Sequence, residues 1–186
     1  MKKSIIISGP PAVGKTTIAK QLAQEFSLEY LSGGDALKKI AKEQGFQAEG
    51  DDWWDTNEGL NFLNQRAKNS EFDKQVDEKL KELFNQGGKV ITSYTLPWLV
   101  DDGIKIWLDG SHQSSANRMK GRDNLSKEDA LEITKKRYDE NKALYKKIYN
   151  FDFRADQSIF DKVINTDDLD ADQVSEIVKS TVRELL

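Results

Sequence analysis

The sequence has no cysteine and only one histidine, His112, among its 186 residues. Without cysteine the chain can form neither disulfides nor thiolate metal sites. A single histidine argues against a histidine-based metal cluster or a Ser/His triad. No apolar run approaches the ~20 residues that a membrane-spanning helix needs. We therefore expect a cytoplasmic protein that has neither a membrane anchor nor a signal peptide.

Net charge and chain length further restrict the class of protein to which this chain can belong. Charged residues make up 32% of the sequence and hydrophobic residues 37%, and the net charge is −4. This composition predicts one soluble globular domain over residues 1–186, which we expect to be a monomer. The negative charge argues against a general nucleic-acid-binding protein, although it leaves a local basic cleft open.

The most specific signal is the stretch Gly9-Pro10-Pro11-Ala12-Val13-Gly14-Lys15-Thr16, which fits the pattern G-x-x-x-x-G-K-[S/T] at every fixed position. The apolar run Ser4–Ser8 before it predicts a buried parallel strand. The periodic residues Thr17–Phe26 after it predict a helix. A loop ahead of a helix N-terminus points backbone N–H groups inward and can hold a polyphosphate. The alternative is a glycine-rich turn that binds no ligand.

The residue types in this loop have separate roles in a phosphate-binding interpretation. Gly9 and Gly14 let the backbone turn tightly and approach a ligand closely. Lys15 would reach the β- and γ-phosphates, and the Thr16 hydroxyl would bind Mg²⁺. We therefore predict a site for ATP with Mg²⁺, with Thr16 as the metal ligand. The predicted ATP-binding residues are Gly9, Pro10, Pro11, Ala12, Val13, Gly14, Lys15, Thr16 and Thr17.

Short apolar runs alternate with helical patterns along the chain, which predicts an α/β fold with a doubly wound, five-stranded parallel sheet. The predicted strands lie at residues 4–8, 28–32, 89–93, 104–108 and 162–165. A helical insertion over residues 34–86 separates the second strand from the third. A short polar and basic segment, residues 118–128, follows the fourth strand, and we expect it to be a mobile lid. Both segments are positioned to close over the phosphate loop.

The insertion contains the least regular part of the chain, residues 46–70. Trp53 and Trp54 stand there among acidic residues, which is unusual for a surface. Two interpretations stay open: the pair packs a corner of the insertion, or it forms a platform against which a base or ring stacks. Asp73 follows Ser70 by three residues and resembles the second member of a capping box.

Several segments share one resemblance. Ile7–Pro11 with Gly14–Thr17, Leu31–Asp35, Lys105–Leu108 and Ile148–Asp152 are similar to segments of the nucleoside monophosphate kinases. The archaeal-type cytidylate kinases are the most similar of these, and the likeness spans nearly the whole chain. The resemblance implies a P-loop NTPase fold with a helical substrate side and a short lid.

The resemblance also implies an activity: transfer of the γ-phosphoryl group of ATP to a nucleoside monophosphate, most closely CMP or dCMP. Lys15, Arg118, Arg122 and Arg137 would surround the transferring group as catalytic residues, with Arg122 arriving when the lid closes. Ordinary solvated helix charge is the alternative for these arginines. The expected substrate-binding residues are Ser32, Gly34, Asp35, Lys38, Trp53, Trp54 and Tyr94. Ser32 and Asp35 are also candidates to cap the helix that follows them.

The sequence departs from the family pattern where a metal-binding acid and phosphate-binding arginines are expected. Thr92-Ser93-Tyr94 stands in place of Glu-Gly-Arg, Leu144 replaces an arginine on the long helix, and Lys38 replaces one after the second strand. If the acceptor is a monophosphate, Lys38 and Arg137 must supply the missing charge. Two other interpretations stay open. One is a kinase of a different acceptor, such as a modified nucleotide, a sugar or an RNA end. The other is a slow ATPase that switches a partner-binding surface.

Overall fold

A computed structural model describes residues 2–49, 53, 57–69, 71–123, 126–152, 154 and 156–186. Within these residues five strands form one sheet: β1 Ile5–Ser8, β2 Glu29–Ser32, β3 Lys89–Thr92, β4 Ile104–Asp109 and β5 Lys162–Asn165. Their order across the sheet is β2-β3-β1-β4-β5, and neighbouring strands are parallel. The doubly wound parallel sheet predicted from the sequence is confirmed.

Helices connect the strands and cover both faces of the sheet. Their bounds are α1 Lys15–Phe26, α2 Gly33–Glu43, α3 Asn57–Lys68, α4 Glu71–Asn85, α5 His112–Asp123, α6 Lys127–Tyr149 and α7 Ala171–Leu185. Helices α1 and α7 pack on one face, whereas α2, α4 and α6 pack on the other. The central strand β1 is therefore covered on both sides, which explains why its residues Ile5–Ser8 are all buried. Among the described helices, none is both long and apolar enough to cross a membrane.

Trp53 lies inside the insertion and not on its surface. Its side chain is 3% exposed. The ring centroid lies 6.4 Å from that of Phe46 and 5.6 Å from that of Phe62. Its indole N–H donates to Glu58 Oε2 at 3.2 Å. The interpretation as a stacking platform is therefore wrong for Trp53 in this structure, because neighbouring aromatic side chains already cover the ring. Trp54 lies outside the described residues.

Two helices differ in length from the sequence prediction. Helix α2 begins at Gly33, although its apolar pattern predicts a start near Ala36, because Ser32 Oγ accepts the N–H of Asp35 at 2.9 Å and caps it. Helix α5 continues to Asp123, so the first half of the predicted lid is helical. Residues 124–125 lie outside the described part of the chain, and a lid function for residues 118–128 stays a prediction.

Candidate active site

The loop between β1 and α1 follows a path that depends on residues with positive φ angles. Gly9, Ala12 and Gly14 have φ angles of 142°, 59° and 94°. A Cβ atom on residue 9 would lie 2.1 Å from the carbonyl oxygen of Leu108, which is the backbone of β4. Only glycine fits at that position, because both the space and the backbone angle exclude a side chain. The backbone of β4 therefore fixes the path of the chain where the loop begins.

The N-terminus of α1 is open to an anion. Its N-cap is Gly14, which has no side chain to bond the first N–H groups, and no acidic residue lies in the first turn of α1. The partial positive charge at this helix end is therefore not offset by side chains of the helix itself. Thr16 and Thr17, in the same turn, are exposed. This arrangement fits a polyphosphate group.

The Lys15 ammonium lies against the loop itself. It donates hydrogen bonds to the carbonyl oxygens of Gly9 at 2.9 Å and Pro10 at 2.6 Å. It also lies 4.7 Å from the ring centroid of Tyr94. Burial, and then the positive charge of Arg137, lower the pKa of Lys15 to about 7. Among the described residues no acidic side chain forms an ion pair with this ammonium, so an arriving phosphate would strongly favour its charged form.

Tyr94 is held over Lys15 by a tight turn at the end of β3. The Ser93 hydroxyl accepts the backbone N–H groups of Thr95 at 3.2 Å and Leu96 at 3.1 Å. This turn leads into a short 3₁₀ helix at Leu96–Trp98. Burial raises the pKa of the Tyr94 phenol, so the hydroxyl stays neutral at physiological pH. Tyr94 can therefore orient a ligand by its ring and hydroxyl, although it brings no charge.

Two arginines act on Tyr94 electrostatically. The charges of Arg137 and Arg66 both oppose the rise that burial causes in the pKa of Tyr94. At the Lys15 ammonium, by contrast, the charge of Arg137 adds to the effect of burial, and both lower the pKa of Lys15. The charge of Arg137 therefore acts on both Lys15 and Tyr94, and the catalytic role that the family resemblance implies for Arg137 stays a prediction. Arg66 is a further cation that our sequence analysis missed.

Arg66 extends from α3 and pairs with Asp73 on α4. Its Nε donates to both carboxylate oxygens at 3.0 Å, and its Nη2 donates to Oδ1 at 2.6 Å. Burial alone would lower the pKa of Arg66, but the hydrogen bonds and charge of Asp73, helped by the Tyr145 hydroxyl, raise it. The guanidinium is therefore firmly charged. Asp73 is the acidic partner of this guanidinium, whereas Ser70, the other member of the capping box that the sequence predicts, lies outside the described residues.

Asp77 lies one turn further along α4 and joins three parts of the fold. Its carboxylate accepts a hydrogen bond from the Thr95 hydroxyl, in the turn after β3, and another at 2.6 Å from the hydroxyl of Tyr149, at the end of α6. Burial raises the pKa of Asp77 to about 6, although both hydrogen bonds oppose the rise. This carboxylate thus fixes the turn that carries Tyr94 to α4 and α6.

The residues predicted to bind the acceptor at α2 lie at the same edge of the sheet. A Cβ atom on Gly33 would lie 3.6 Å from the carbonyl oxygen of Thr92, so the start of α2 packs against the end of β3. The Ser32 hydroxyl donates to Asp35 Oδ2 at 2.6 Å, which makes this pair a helix cap. Gly34 is exposed and Lys38 is half-buried on the same helix. Acceptor binding by these residues stays a prediction.

Arg118 lies on the opposite side of the phosphate loop from Tyr94. Its Nη2 donates to the carbonyl oxygen of Thr166 at 2.5 Å, in the turn after β5. Strands β4 and β5 flank β1 on the side away from β3, so the Thr166 contact of Arg118 lies across the sheet from the turn that carries Tyr94. The side chain of Arg122 lies outside the described part of the structure. The catalytic roles of Arg118 and Arg122 stay predictions.

A known kinase structure shares this fold. The shikimate kinase from Acinetobacter baumannii in complex with shikimate superposes with a TM-score of 0.59, over 100% of this chain and 93% of its own. The sequence identity is 15%, so the likeness concerns the fold alone. It agrees with the P-loop kinase fold that the loop and sheet order indicate.

Sequence comparison gives the family. The cytidylate kinase from Sulfurisphaera tokodaii is 32% identical over 98% of this chain and 96% of its own length. The cytidylate kinase from Methanocaldococcus jannaschii is 32% identical over 97% of this chain and 98% of its own length. Residues 4–168 match the sequence model of the cytidylate kinase-like family. These matches confirm the resemblance predicted from the sequence, and the chain is a phosphotransferase that belongs to the cytidylate kinase-like family.

Proposed function

We propose that the protein transfers the γ-phosphoryl group of ATP to CMP or dCMP. The observation that carries this proposal is the meeting of Lys15, Tyr94 and Arg137 at the open N-terminus of α1, beside the start of α2. A phosphate-binding loop and an acceptor-side helix therefore share one edge of the sheet, the place where α/β proteins bind their ligands. The relatives named above are cytidylate kinases, which supports a cytidine nucleotide as the acceptor.

The donor nucleotide would bind in the loop between β1 and α1. Backbone N–H groups and the N-terminus of α1 would hold its phosphates. Lys15 would leave the carbonyl oxygens of Gly9 and Pro10 for the β- and γ-phosphates, because a phosphate is a stronger partner for an ammonium than a neutral carbonyl. Arg137 would add positive charge next to the same phosphates.

Mg²⁺ would bind at Thr16. Among the described residues no group of three acidic or histidine side chains could form an all-protein metal site. Mg²⁺ at nucleotide sites keeps several waters and takes few protein ligands besides phosphate oxygens, so the exposed Thr16 hydroxyl fits this role. Bound there, Mg²⁺ would neutralise charge on the β- and γ-phosphates.

The transfer itself needs alignment more than covalent chemistry. A phosphate oxygen of CMP forms a bond to the γ-phosphorus, the bond from that phosphorus to the bridging oxygen of ADP breaks, and CDP and ADP result. Lys15 and Arg137 would stabilise the charge that develops on the transferring group. Tyr94 would orient the acceptor next to them.

The test is an assay of ADP and nucleoside diphosphate formation with MgATP and a panel of acceptors: CMP, dCMP, UMP, AMP, GMP, shikimate and gluconate. We expect CDP and dCDP. The Lys15→Ala variant should keep the fold and turn over CMP at least ~10²-fold more slowly, as for loss of one preorganised donor. ADP formed only with a non-nucleotide acceptor, or slowly and without any acceptor, would refute the proposal.

A further inference from the structure

The proposed function requires more positive charge on the acceptor side than Lys38 alone supplies there. A monophosphate acceptor carries negative charge that must be held close to the equally negative ATP phosphates. In this chain the turn after β3 carries Tyr94, which can orient the acceptor but brings no charge. Lys15 and Arg137 lie beside Tyr94 and would serve the transferring group.

We propose that Arg66, on α3, binds the phosphate group of the nucleoside monophosphate acceptor. This inference rests on the proposed function and deepens it, because it assigns a phosphate-binding residue to the acceptor side. Arg66 lies in the irregular stretch of residues 46–70, outside the segments that carry the family resemblance.

Position is the first argument. The Tyr145 hydroxyl adjoins the Arg66 guanidinium. The Tyr145 ring lies 6.1 Å from the ring of Tyr94, and the Lys15 ammonium lies 4.7 Å from that same Tyr94 ring. The charge of Arg66 is felt at Tyr94 together with that of Arg137. The insertion thus places a guanidinium next to Tyr145, whose ring neighbours the Tyr94 ring that the Lys15 ammonium contacts.

The geometry of the guanidinium is the second argument. A guanidinium carries five N–H donors in a rigid fork. Asp73 occupies the edge formed by Nε and Nη2, so the Nη1 side of the fork is directed to other groups. The Arg66 side chain is 19% exposed, whereas that of Asp73 is 7% exposed. The carboxylate therefore fixes the orientation of the fork, and the Arg66 side chain is the more exposed member of the pair.

Energetics is the third argument. An ion pair withdrawn from water contributes little net stability, because desolvation offsets much of the attraction between the charges. Stability alone therefore gives a weak reason for this pair. A guanidinium held in advance by Asp73 loses little conformational entropy when a phosphate binds, and its planar fork matches phosphate oxygens two at a time. A phosphate-binding role would therefore explain why this ion pair is present, whereas a contribution to stability explains it poorly.

The test compares the phosphate contribution to acceptor binding in matched variants. The variant Arg66→Gln/Asp73→Asn replaces the ion pair by two amides that can hydrogen-bond to each other, so no charge is left buried and unpaired. Arg66→Lys keeps the charge but loses the fork, and Asp73→Asn keeps the fork but loses its acidic partner. For each variant we would measure the Kd of CMP and of ATP by calorimetry, the inhibition constant of cytidine and the thermal unfolding curve.

We expect the double variant to fold and to raise the Kd of CMP at least ~10-fold, while the constants for cytidine and ATP change by less than ~2-fold. Arg66→Lys should fall between the double variant and the wild type. Asp73→Asn should lose less CMP affinity than the double variant, because the guanidinium remains and the amide oxygen at position 73 can still accept one of its N–H groups.

Two results would overturn the inference. One is an unchanged ratio of cytidine to CMP affinity in both the double variant and Arg66→Lys. The other is a loss of CMP affinity in Asp73→Asn as large as that in the double variant, since a merely structural pair would depend equally on both partners. A wild-type protein that turns over a different acceptor, and neither CMP nor dCMP, would refute the proposed function and the assignment of Arg66 with it, whereas the two results above would refute only the assignment of Arg66.

Discussion

Replacing Asp77 by Asn should make the protein more stable relative to the wild type as the pH rises towards neutrality. Asp77 is 5% exposed. Burial raises the pKa of its carboxyl from 3.8 to about 6, against the opposing effect of two hydrogen bonds. A carboxyl group with a raised pKa in the folded state contributes stability below its unfolded pKa. That contribution is lost as the pH rises through about 6.

The size of the effect follows from these two pKa values. Between about pH 4.5 and pH 7 the wild type should lose roughly 2 kcal/mol through this one group, because the unfolded chain releases its proton earlier. An Asn side chain does not titrate and shows no such loss. It also fits the site, because the hydroxyl groups of Thr95 and Tyr149 can each donate or accept a hydrogen bond.

The assay is urea unfolding of both proteins at a series of pH values over that range. The difference in unfolding free energy, variant minus wild type, should rise by roughly 2 kcal/mol. Subtraction removes the contributions of all other titrating groups, because they are common to both proteins. A difference that stays flat would mean that Asp77 titrates in the folded protein as it does in the unfolded chain, and the reasoning from burial would then be wrong.

Two further predictions concern the phosphate loop. ATP binding near pH 8 should take up a proton, because the pKa of Lys15 is about 7 before a phosphate arrives. Calorimetry in two buffers of different ionisation enthalpy should detect this uptake in the wild type but not in Lys15→Met, and equal heats in the wild type would contradict it. Gly9→Ala should unfold at lower urea concentration than Gly45→Ala, with a further loss of roughly 1–3 kcal/mol. Both glycines have positive φ, but only a Cβ on Gly9 meets the backbone at Leu108, whereas none would meet an atom within 4 Å at Gly45. Equal losses would refute the close contact with β4.

The phosphate loop and the sheet were predictable because their signals are local. The loop motif is eight consecutive residues between a strand and a helix, and each strand is a short apolar run bounded by turns. The ends of elements were less predictable. Ser32 caps α2, so the helix begins at Gly33, three residues before the start near Ala36 that the apolar pattern predicts.

Arg66 was not predictable because its surroundings are set by tertiary contacts. In the sequence Arg66 is one charged residue on a helix, and the helical pattern identifies only the apolar positions of that helix. Its partner Asp73 looks like a capping residue, and its neighbour Tyr145 lies 79 positions further on. Trp53 is a similar case, since only the packing of Phe46 and Phe62 around it decides between a core residue and a stacking platform.

The contacts of Asp77 constrain how the protein can move. A substrate side that swung as an independent rigid body would pull α4 away from Tyr149 and leave the carboxylate without its partner. Helix α4 therefore moves together with the end of α6, or the hydrogen bond breaks. Helix α6 is 23 residues long, about 35 Å, and begins next to the segment predicted as the lid. A displacement of α4 that keeps this hydrogen bond would therefore also displace the other end of α6, where the predicted lid lies.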